Sequence, residues 1–262
     1  MKALEGRNFK VEAIDIRRQV VIACRALGIE GVTRGPVGHV SARVPGTEDE
    51  FFIKARGVEE EGLEFVTDLD IIRINSDGAV IEGADGLTPP AETALHLAVY
   101  EAQADAKSVI HVHPSWIVAL SAVGRELLPI FGSYDSQAAY LALQGIPTYQ
   151  SSVSIHEMAT GREVAKVMGT SPVCVLKGHG IVVSGKSVED SLHLSMATHE
   201  LGRMNWLAAA VGTPQPISSS DYELFDQRQK RRSNKQVRRE DGVSAFWHYM
   251  ERRISGYGGD VV

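Results

Sequence analysis

The sequence predicts an α/β fold in which antiparallel strands come first and helices then alternate with strands. Two β-branched runs at residues 71–75 and 79–82 flank an Asp-Gly pair, which is a strong hairpin signal. Apolar residues then recur every three or four positions over residues 89–103, as in a helix, and a β-branched run follows at residues 108–113. These observations predict a sheet that carries helices packed on it.

The remaining elements follow from the same two periods. Apolar spacing predicts a helix over residues 9–27, ended by Gly28, and a short strand is expected before Pro45. Further strands are predicted at residues 51–54, 146–149, 172–177 and 181–185. Further helices are predicted over residues 115–123, 134–144, 157–168 and 187–211. A Pro- and Ser-rich linker near residue 214 then separates a main domain, residues 1–212, from a charged and partly helical extension, residues 213–262.

Composition favours an enzyme that acts on small molecules. The chain has 262 residues, 44% of them hydrophobic, and a formal charge of −6, which makes general binding to nucleic acid or to anionic membranes improbable. No apolar run reaches the roughly 18 residues of a membrane span, and the first residues lack the apolar core of a signal peptide. We therefore expect a cytoplasmic protein. Cys24 and Cys174 lie in apolar runs and are expected to be buried free thiols.

Two histidines in one predicted strand form the most informative motif. His111 and His113 are two positions apart, so their side chains point to the same face with backbones roughly 6 to 7 Å apart. Imidazoles placed in this way can share a metal ion, although each can equally be a hydrogen-bonded residue near a strand end.

Other parts of the chain offer partners for this pair. His179 lies between two glycines at the junction of two predicted strands, which makes it a plausible third ligand. Glu92 falls in the first turn of the predicted helix over residues 89–103, where the helix dipole alone would favour an acid. That helix leads directly into the histidine strand, so Glu92 could also face the two imidazoles. His193 and His199 are six positions apart on a helix and are interpreted as packing or surface residues.

Taken together, three histidines at strand ends form a ligand set for a catalytic divalent ion. With these motifs the sequence resembles the class II aldolase and adducin family over roughly residues 10–212. The matching motifs are Gly38-His39-Val40-Ser41, Pro90-Ala91-Glu92, His111-Val112-His113 and Lys177-Gly178-His179-Gly180.

The resemblance implies a fold, an assembly and a site. It implies a three-layer α/β/α sandwich with a mainly antiparallel central sheet, and a cyclic homotetramer whose active site lies near a subunit interface. It also implies that His111, His113 and His179 hold the metal and that Glu92 transfers protons. Zn²⁺ ranks first by ligand type, while Mn²⁺, Co²⁺ and Fe²⁺ are alternatives.

Departures from the sugar-phosphate members of the family indicate the substrate. Small polar residues that bind phosphate in those members are replaced here, and His39 with Arg56 or Lys54 is expected to hold a carboxylate instead. Ser41 and Gly57 complete the predicted substrate-binding set. These changes favour the decarboxylase branch, which acts on hydroxylated aromatic or ring-fission carboxylic acids such as dihydroxyphthalates.

Two other functions stay open at this point. One is an aldolase acting on a small, non-phosphorylated hydroxy-keto or sugar acid, and the other is a non-catalytic, adducin-like interaction module.

The segment over residues 221–256 is also open to more than one interpretation. Its cations, between Arg228 and Arg239, could form a nucleic-acid arm, but a solvated helix is favoured. That helix would pack its aromatic residues on a neighbouring subunit or cover the substrate. The aromatic residues are Phe246, Trp247 and Tyr249.

Overall fold

The computed structural model describes residues 2–57, 61–234 and 239–256, with backbone alone for 2–14, 228–234 and 239–244. Within these residues, the strands are β1 (His39–Arg43), β2 (Glu50–Lys54), β3 (Ile71–Asn75), β4 (Val80–Glu82), β5 (Ser108–Val112), β6 (Thr148–Tyr149), β7 (Val173–Leu176) and β8 (Gly180–Gly185). The helices are α1 (Lys2–Ile29), α2 (Thr93–Ala102), α3 (Ser115–Ala122), α4 (Ser136–Gln144), α5 (Met158–Met168), α6 (Val188–Val211), α7 (Ser219–Asn234) and α8 (Arg239–Ser255).

All eight strands join one sheet in the order β4-β3-β2-β1-β5-β8-β7-β6. Every neighbouring pair is antiparallel except β6 with β7, at one edge. The predicted hairpin joins β3 to β4, and its Gly78 has a φ of 80°, which suits glycine. The mainly antiparallel sheet is therefore confirmed.

Helices cover both faces of the sheet, because side chains that alternate along the strands are apolar on both sides. One core lies under α1, α3, α4, α6 and α8, and includes Val40 and Ile110. The other lies under α2 and α5, and includes Ile53 and Val109. The three-layer α/β/α sandwich is therefore confirmed.

The strand register brings three distant parts of the chain together at the ends of three central strands. His39 at the start of β1 lies opposite His111 in β5, and Val112 lies opposite Ile181 in β8. Because these pairs are antiparallel, the end of β5 adjoins the starts of β1 and β8. The candidate site lies at these strand ends.

Three expectations about single residues have clear outcomes. Glu92 was expected in the first turn of a helix, but α2 begins at Thr93 and Glu92 is its N-cap residue. Cys24 and Cys174 are buried and free, as predicted. Burial raises the pKa of the Cys24 thiol to about 12, and also raises that of Cys174 to about 11.

Two of the three aromatic residues of the C-terminal segment pack within their own chain. Trp247 on α8 is 5% exposed and belongs to the core of its own chain, so it does not reach a neighbouring subunit. Phe246 stacks on His193 of α6 with ring centroids 4.6 Å apart, in agreement with a packing role for that histidine. Tyr249 is exposed. The side chains of residues 228–244, which carry the predicted cation cluster, lie outside the described residues.

Within the part of the chain that the structure describes, none of the helices combines the length and the apolar composition that crossing a membrane requires.

Candidate metal centre

His111 is held by the neighbouring strand in an orientation that leaves one nitrogen for a ligand. Its side chain is fully buried, and its Nδ1 lies 2.9 Å from the carbonyl oxygen of Ile181 in β8. A carbonyl oxygen only accepts hydrogen bonds, so Nδ1 carries the proton and donates it. Nε2 is then the ring nitrogen left for a ligand, and it lies 2.9 Å from Nε2 of His113. Such a carbonyl partner is typical of histidines that bind metals.

His179 lies on a turn that only glycines allow. Gly178 has a φ of 66°, and its N–H donates a 3.0 Å hydrogen bond to Ser121 Oγ on α3. A Cβ on Gly180 would lie 2.4 Å from the Val112 carbonyl oxygen and 2.8 Å from Cδ2 of His113. The glycines therefore let β8 approach β5 closely enough to bring His179 beside His113, with ring centroids 4.8 Å apart.

The carboxylate of Glu92 completes the cluster. Its Oε1 accepts a 2.8 Å hydrogen bond from the N–H of Ile155, and its Oε2 lies 3.2 Å from Nε2 of His111 and 3.5 Å from Nε2 of His179. Burial opposes ionisation of this carboxyl, but the contacts with the two histidines and the Ile155 N–H outweigh it and lower the pKa of Glu92. Glu92 is therefore ionised at neutral pH.

These four side chains fit a divalent ion. Their ligand atoms all lie within 4.8 Å of one another. Burial first, and then the neighbouring His111 and His179, lowers the pKa of His113 to about 3, so its imidazole is neutral and can donate a lone pair. Nε2 of His111 lies 2.9 Å from Nε2 of His113 and 3.2 Å from Oε2 of Glu92, so these ligand atoms are close enough to share one cation. Three imidazole nitrogens and one carboxylate oxygen are a donor set that Zn²⁺ and related ions accept.

His39 lies beside the cluster and contacts His96, the first of three buried polar groups that are linked by hydrogen bonds. Its ring centroid is 5.2 Å from that of His111, and its Nδ1 is 2.7 Å from Nε2 of His96 on α2. Nδ1 of His96 is 2.7 Å from Ser41 Oγ, which is 2.9 Å from the hydroxyl of Tyr100. Burial first, then His96 and His111, holds the pKa of His39 well below its usual range.

His96 and Tyr100 were missed in the sequence, although a signal was present. They follow Glu92 at intervals of four residues, a spacing that places side chains on one face of a helix. Polar residues at core positions of an otherwise apolar helix are unusual enough to indicate a buried network.

Two of the other predicted substrate-binding residues, Ser41 and Lys54, lie on opposite faces of the sheet. Ser41 is 1% exposed and takes part in the buried network behind His39. Lys54 alternates to the face opposite His39, and its Nζ donates to the Pro36 carbonyl oxygen at 3.4 Å. The structure therefore does not bring Lys54 to the imidazole with which it was paired.

Arg56 and Gly57 lie just beyond β2, on a segment that pairs with the residues shortly before Glu92. Arg56 and Thr88 exchange two backbone hydrogen bonds of 2.8 and 2.9 Å, and Thr88 is four residues before Glu92. The Arg56 side chain is exposed, so its guanidinium can meet a ligand from solvent. A Cβ on Gly57 would lie 3.0 Å from a methyl carbon of Leu87.

The fold is an α/β/α sandwich in which three histidines and a glutamate meet beside the ends of central strands. These features define a class of proteins with a candidate divalent-metal site. Comparison with known proteins identifies the family. Residues 18–206 match the model of the class II aldolase and adducin N-terminal domain. The chain belongs to this family.

Individual relatives agree with this assignment. The chain is 36% identical over 203 residues to a 3,4-dihydroxyphthalate decarboxylase of Terrabacter sp. (strain DBF63), covering 76% of this chain and 83% of the relative. It is 35% identical over 208 residues to the enzyme of the same name from Rhodococcus jostii (strain RHA1), covering 78% and 85%. A solved aldolase II superfamily protein from Pseudomonas syringae has a TM-score of 0.80 at 22% identity, covering 94% of each chain.

The resemblance inferred from the sequence motifs is therefore confirmed, including the similarity to dihydroxyphthalate decarboxylases. The chain is an enzyme of the lyase class, and class II aldolases depend on divalent metals.

Proposed function

We propose that this lyase is a divalent-metal-dependent decarboxylase of a hydroxylated aromatic or ring-fission carboxylic acid, such as a dihydroxyphthalate. The observation that carries the proposal is the position of His39, whose ring lies 5.2 Å from that of His111 within the cluster of Glu92 and three histidines. A cation site and an imidazole suited to a carboxylate thus lie side by side. The names of the two decarboxylase relatives support the same substrate class.

The residues divide the chemistry between them. A divalent ion held by His111, His113 and His179 would polarise adjacent substrate oxygens and stabilise the negative charge that develops as the carbon–carbon bond breaks. His39 and Arg56 hold a carboxylate of the substrate, since a guanidinium can donate two parallel hydrogen bonds to it. The substrate is thereby oriented before the bond breaks.

Glu92 moves the proton that replaces carbon dioxide. Because it is ionised in the free protein, it first accepts a proton from a substrate hydroxyl and then delivers it to the ring carbon. The electron pair of the broken carbon–carbon bond stays on that carbon and forms the new C–H bond. Carbon dioxide leaves, and the hydroxyl regains a proton from water when the product departs.

Product analysis separates this proposal from the alternatives. The purified, metal-loaded protein is incubated with 3,4-dihydroxyphthalate and, separately, with a non-phosphorylated hydroxy-keto acid, and both carbon dioxide and aldehyde are measured. We expect carbon dioxide from the first. Aldehyde from the second without carbon dioxide from the first would instead identify an aldolase, which uses the same cluster with an aldehyde as leaving group. A protein that binds no metal and releases neither product would be an interaction module.

Three variants test the assigned roles. Glu92→Gln should lower kcat by about 10²- to 10⁴-fold, the usual contribution of general acid–base catalysis. His113→Ala should lose both metal and activity. His248→Ala is the matched control, because this histidine lies on α8 with 75% of its side chain exposed. If the Glu92→Gln variant kept the wild-type kcat, Glu92 would not be the group that transfers the proton.

Four further parts of the proposal rest on composition and on the family. Zn²⁺ is the first choice of metal by ligand type, which metal analysis of the protein purified without added metal would test. We propose a homotetramer with the site near a subunit interface, a cytoplasmic location, and a division between residues 1–212 and 213–262. Light scattering on the purified protein would test the tetramer.

A further inference from the structure

A line of buried polar groups runs inward from His39, and its other three members, Ser41, His96 and Tyr100, have no part in the proposed chemistry. His39, Ser41, His96 and Tyr100 are between 1% and 9% exposed, and successive polar atoms lie 2.7, 2.7 and 2.9 Å apart. The line starts at the candidate metal centre and ends inside the core beneath α2. Apolar residues would fill this space at a lower desolvation cost. The buried polar groups are therefore expected to have a function.

We propose that His96 is a positioning residue: together with Ser41 it holds the His39 imidazole by its Nδ1, so that His39 presents an Nε2–H to the substrate carboxylate. The carboxylate partner rests on the proposed function, whereas the orientation and tautomer of His39 rest on geometry alone.

The contact between the two rings restricts His39. Its Nδ1 is 2.7 Å from Nε2 of His96, so that nitrogen is already in a hydrogen bond. Rotating the ring to present Nδ1 elsewhere would break this bond inside the core, where an unpaired polar atom is costly. Nε2 is therefore the nitrogen that His39 has available for a ligand.

The contacts of Ser41 indicate which way the protons point. If Ser41 donates to Nδ1 of His96, its proton takes a 2.7 Å hydrogen bond, and Tyr100 can donate to Ser41 at 2.9 Å. His96 then donates from Nε2 to Nδ1 of His39, whose own proton lies on Nε2.

The opposite order is less favourable. His96 would donate to Ser41, and the Ser41 proton would go either to the Tyr100 hydroxyl, whose own proton then has no acceptor among the described hydrogen bonds, or to the Val109 carbonyl oxygen at 3.4 Å. That distance is long for an O–H···O hydrogen bond, which is usually 2.5–3.0 Å. The geometry therefore favours the order Tyr100, Ser41, His96, His39, in which each group donates to the next.

A neutral imidazole with an N–H directed at the site suits a carboxylate. It donates one hydrogen bond without adding a positive charge beside the divalent cation. A lone pair at the same place would repel the carboxylate, so the tautomer decides whether His39 aids binding or opposes it.

The first test reads the tautomer directly. Long-range ¹H–¹⁵N NMR at neutral pH on the full-length, metal-free protein distinguishes protonated from unprotonated ring nitrogens, and His39→Asn assigns the His39 signals. We expect a proton on Nε2 and none on Nδ1 of His39, and a mixture of tautomers in His96→Leu. Where His96→Leu does not fold, Ser41→Ala removes a single oxygen and should have the same effect. A proton on Nδ1 in the wild type, or an unchanged His39 spectrum in these variants, overturns the proposal.

The second test uses kinetics. His96→Leu should raise KM about tenfold more than it lowers kcat, the loss expected for one misdirected hydrogen bond, with metal content unchanged. His96→Gln, which can place a donor near the former Nε2, should recover part of this loss, and His248→Ala should show none. Equal KM in wild type and His96→Leu overturns the substrate contact.

The two tests distinguish a failure of the positioning role from a failure of the proposed function. If no carboxylic acid is decarboxylated, the NMR result still decides the orientation of His39. If decarboxylation occurs but the tautomer is wrong, the positioning role fails and the proposed function stands.

Discussion

Replacing Gly180 by alanine should weaken both the sheet and the metal centre, because one methyl group meets both. The added Cβ would lie 2.4 Å from the Val112 carbonyl oxygen and 2.8 Å from Cδ2 of His113, whereas ordinary contact begins at 3.4 Å. β8 must therefore move away from β5 by roughly 1 Å, at a cost of about 1–3 kcal/mol in the free energy of unfolding, as for other overpacked sites.

That cost corresponds to a melting temperature lower by roughly 2–10 °C for a domain of this size. The same movement displaces the His113 ring from its partners in the cluster. We expect metal affinity to fall by about 10- to 100-fold, the range seen when groups that orient metal ligands are changed.

Two measurements check this prediction. Thermal unfolding in the presence of a chelator reports the sheet alone, and Co²⁺ titration followed by visible absorption reports the metal centre. Gly212→Ala is the matched control: its φ of 173° is extended backbone, and a Cβ there would meet nothing within 4 Å. A Gly180→Ala protein that melts and binds Co²⁺ like the wild type would refute the packing argument.

Two other predictions follow from burial. Burial first, and then His111, lowers the pKa of His96 from 6.5 to about 3, so below pH 6.5 the unfolded chain binds a proton that the folded chain does not. Stability of the metal-free protein should therefore fall as the pH drops from about 6.5 towards 3, and His96→Gln should show a shallower decline in denaturant titrations; parallel curves would contradict this. Trp247→Ala should cost about 3–5 kcal/mol, because this side chain is buried in the core, whereas Tyr249→Ala, at a position 53% exposed, should change stability by less than about 0.5 kcal/mol. Equal melting temperatures for these two variants would show that α8 does not contribute to the core.

Local rules predicted the parts of the site that depend on local geometry. Alternation along a strand places His111 and His113 on one face, and that holds wherever the strand lies. The glycines around His179 indicated a backbone-held turn, and Gly180 shows the reason, since a side chain there would collide with β5. Both inferences needed only a short stretch of sequence.

Features that depend on register or on tertiary packing were harder to predict. Lys54 and His39 are on opposite faces because of how β1 pairs with β2, which the sequence does not display. His96 meets His39 because α2 packs over β5. The position of Trp247 depends on where α8 docks, so its burial in its own chain could not be distinguished from burial on a neighbour.

The start of α2 was misplaced by a few residues for a local reason. Two prolines before Ala91 suit a first helical turn, and the helix was therefore expected to include Glu92. In the structure the helix begins at Thr93, and Glu92 stands at its N-cap with its Oε1 bound to the Ile155 N–H. The tertiary contact with Ile155, far along the chain, orients this carboxylate.

The origin of the ligands in two strands has a consequence for folding. His113 follows β5 and His179 precedes β8, and these strands are neighbours in the sheet although α3, α4, α5, β6 and β7 lie between them in the chain. The complete ligand set therefore exists only after β8 has docked beside β5, so an ion bound there would be captured late, when the middle of the sheet has closed. Its binding energy would then stabilise that long-range closure against local opening, and metal-depleted protein should exchange the amide hydrogens of β5 and β8 faster than metal-loaded protein.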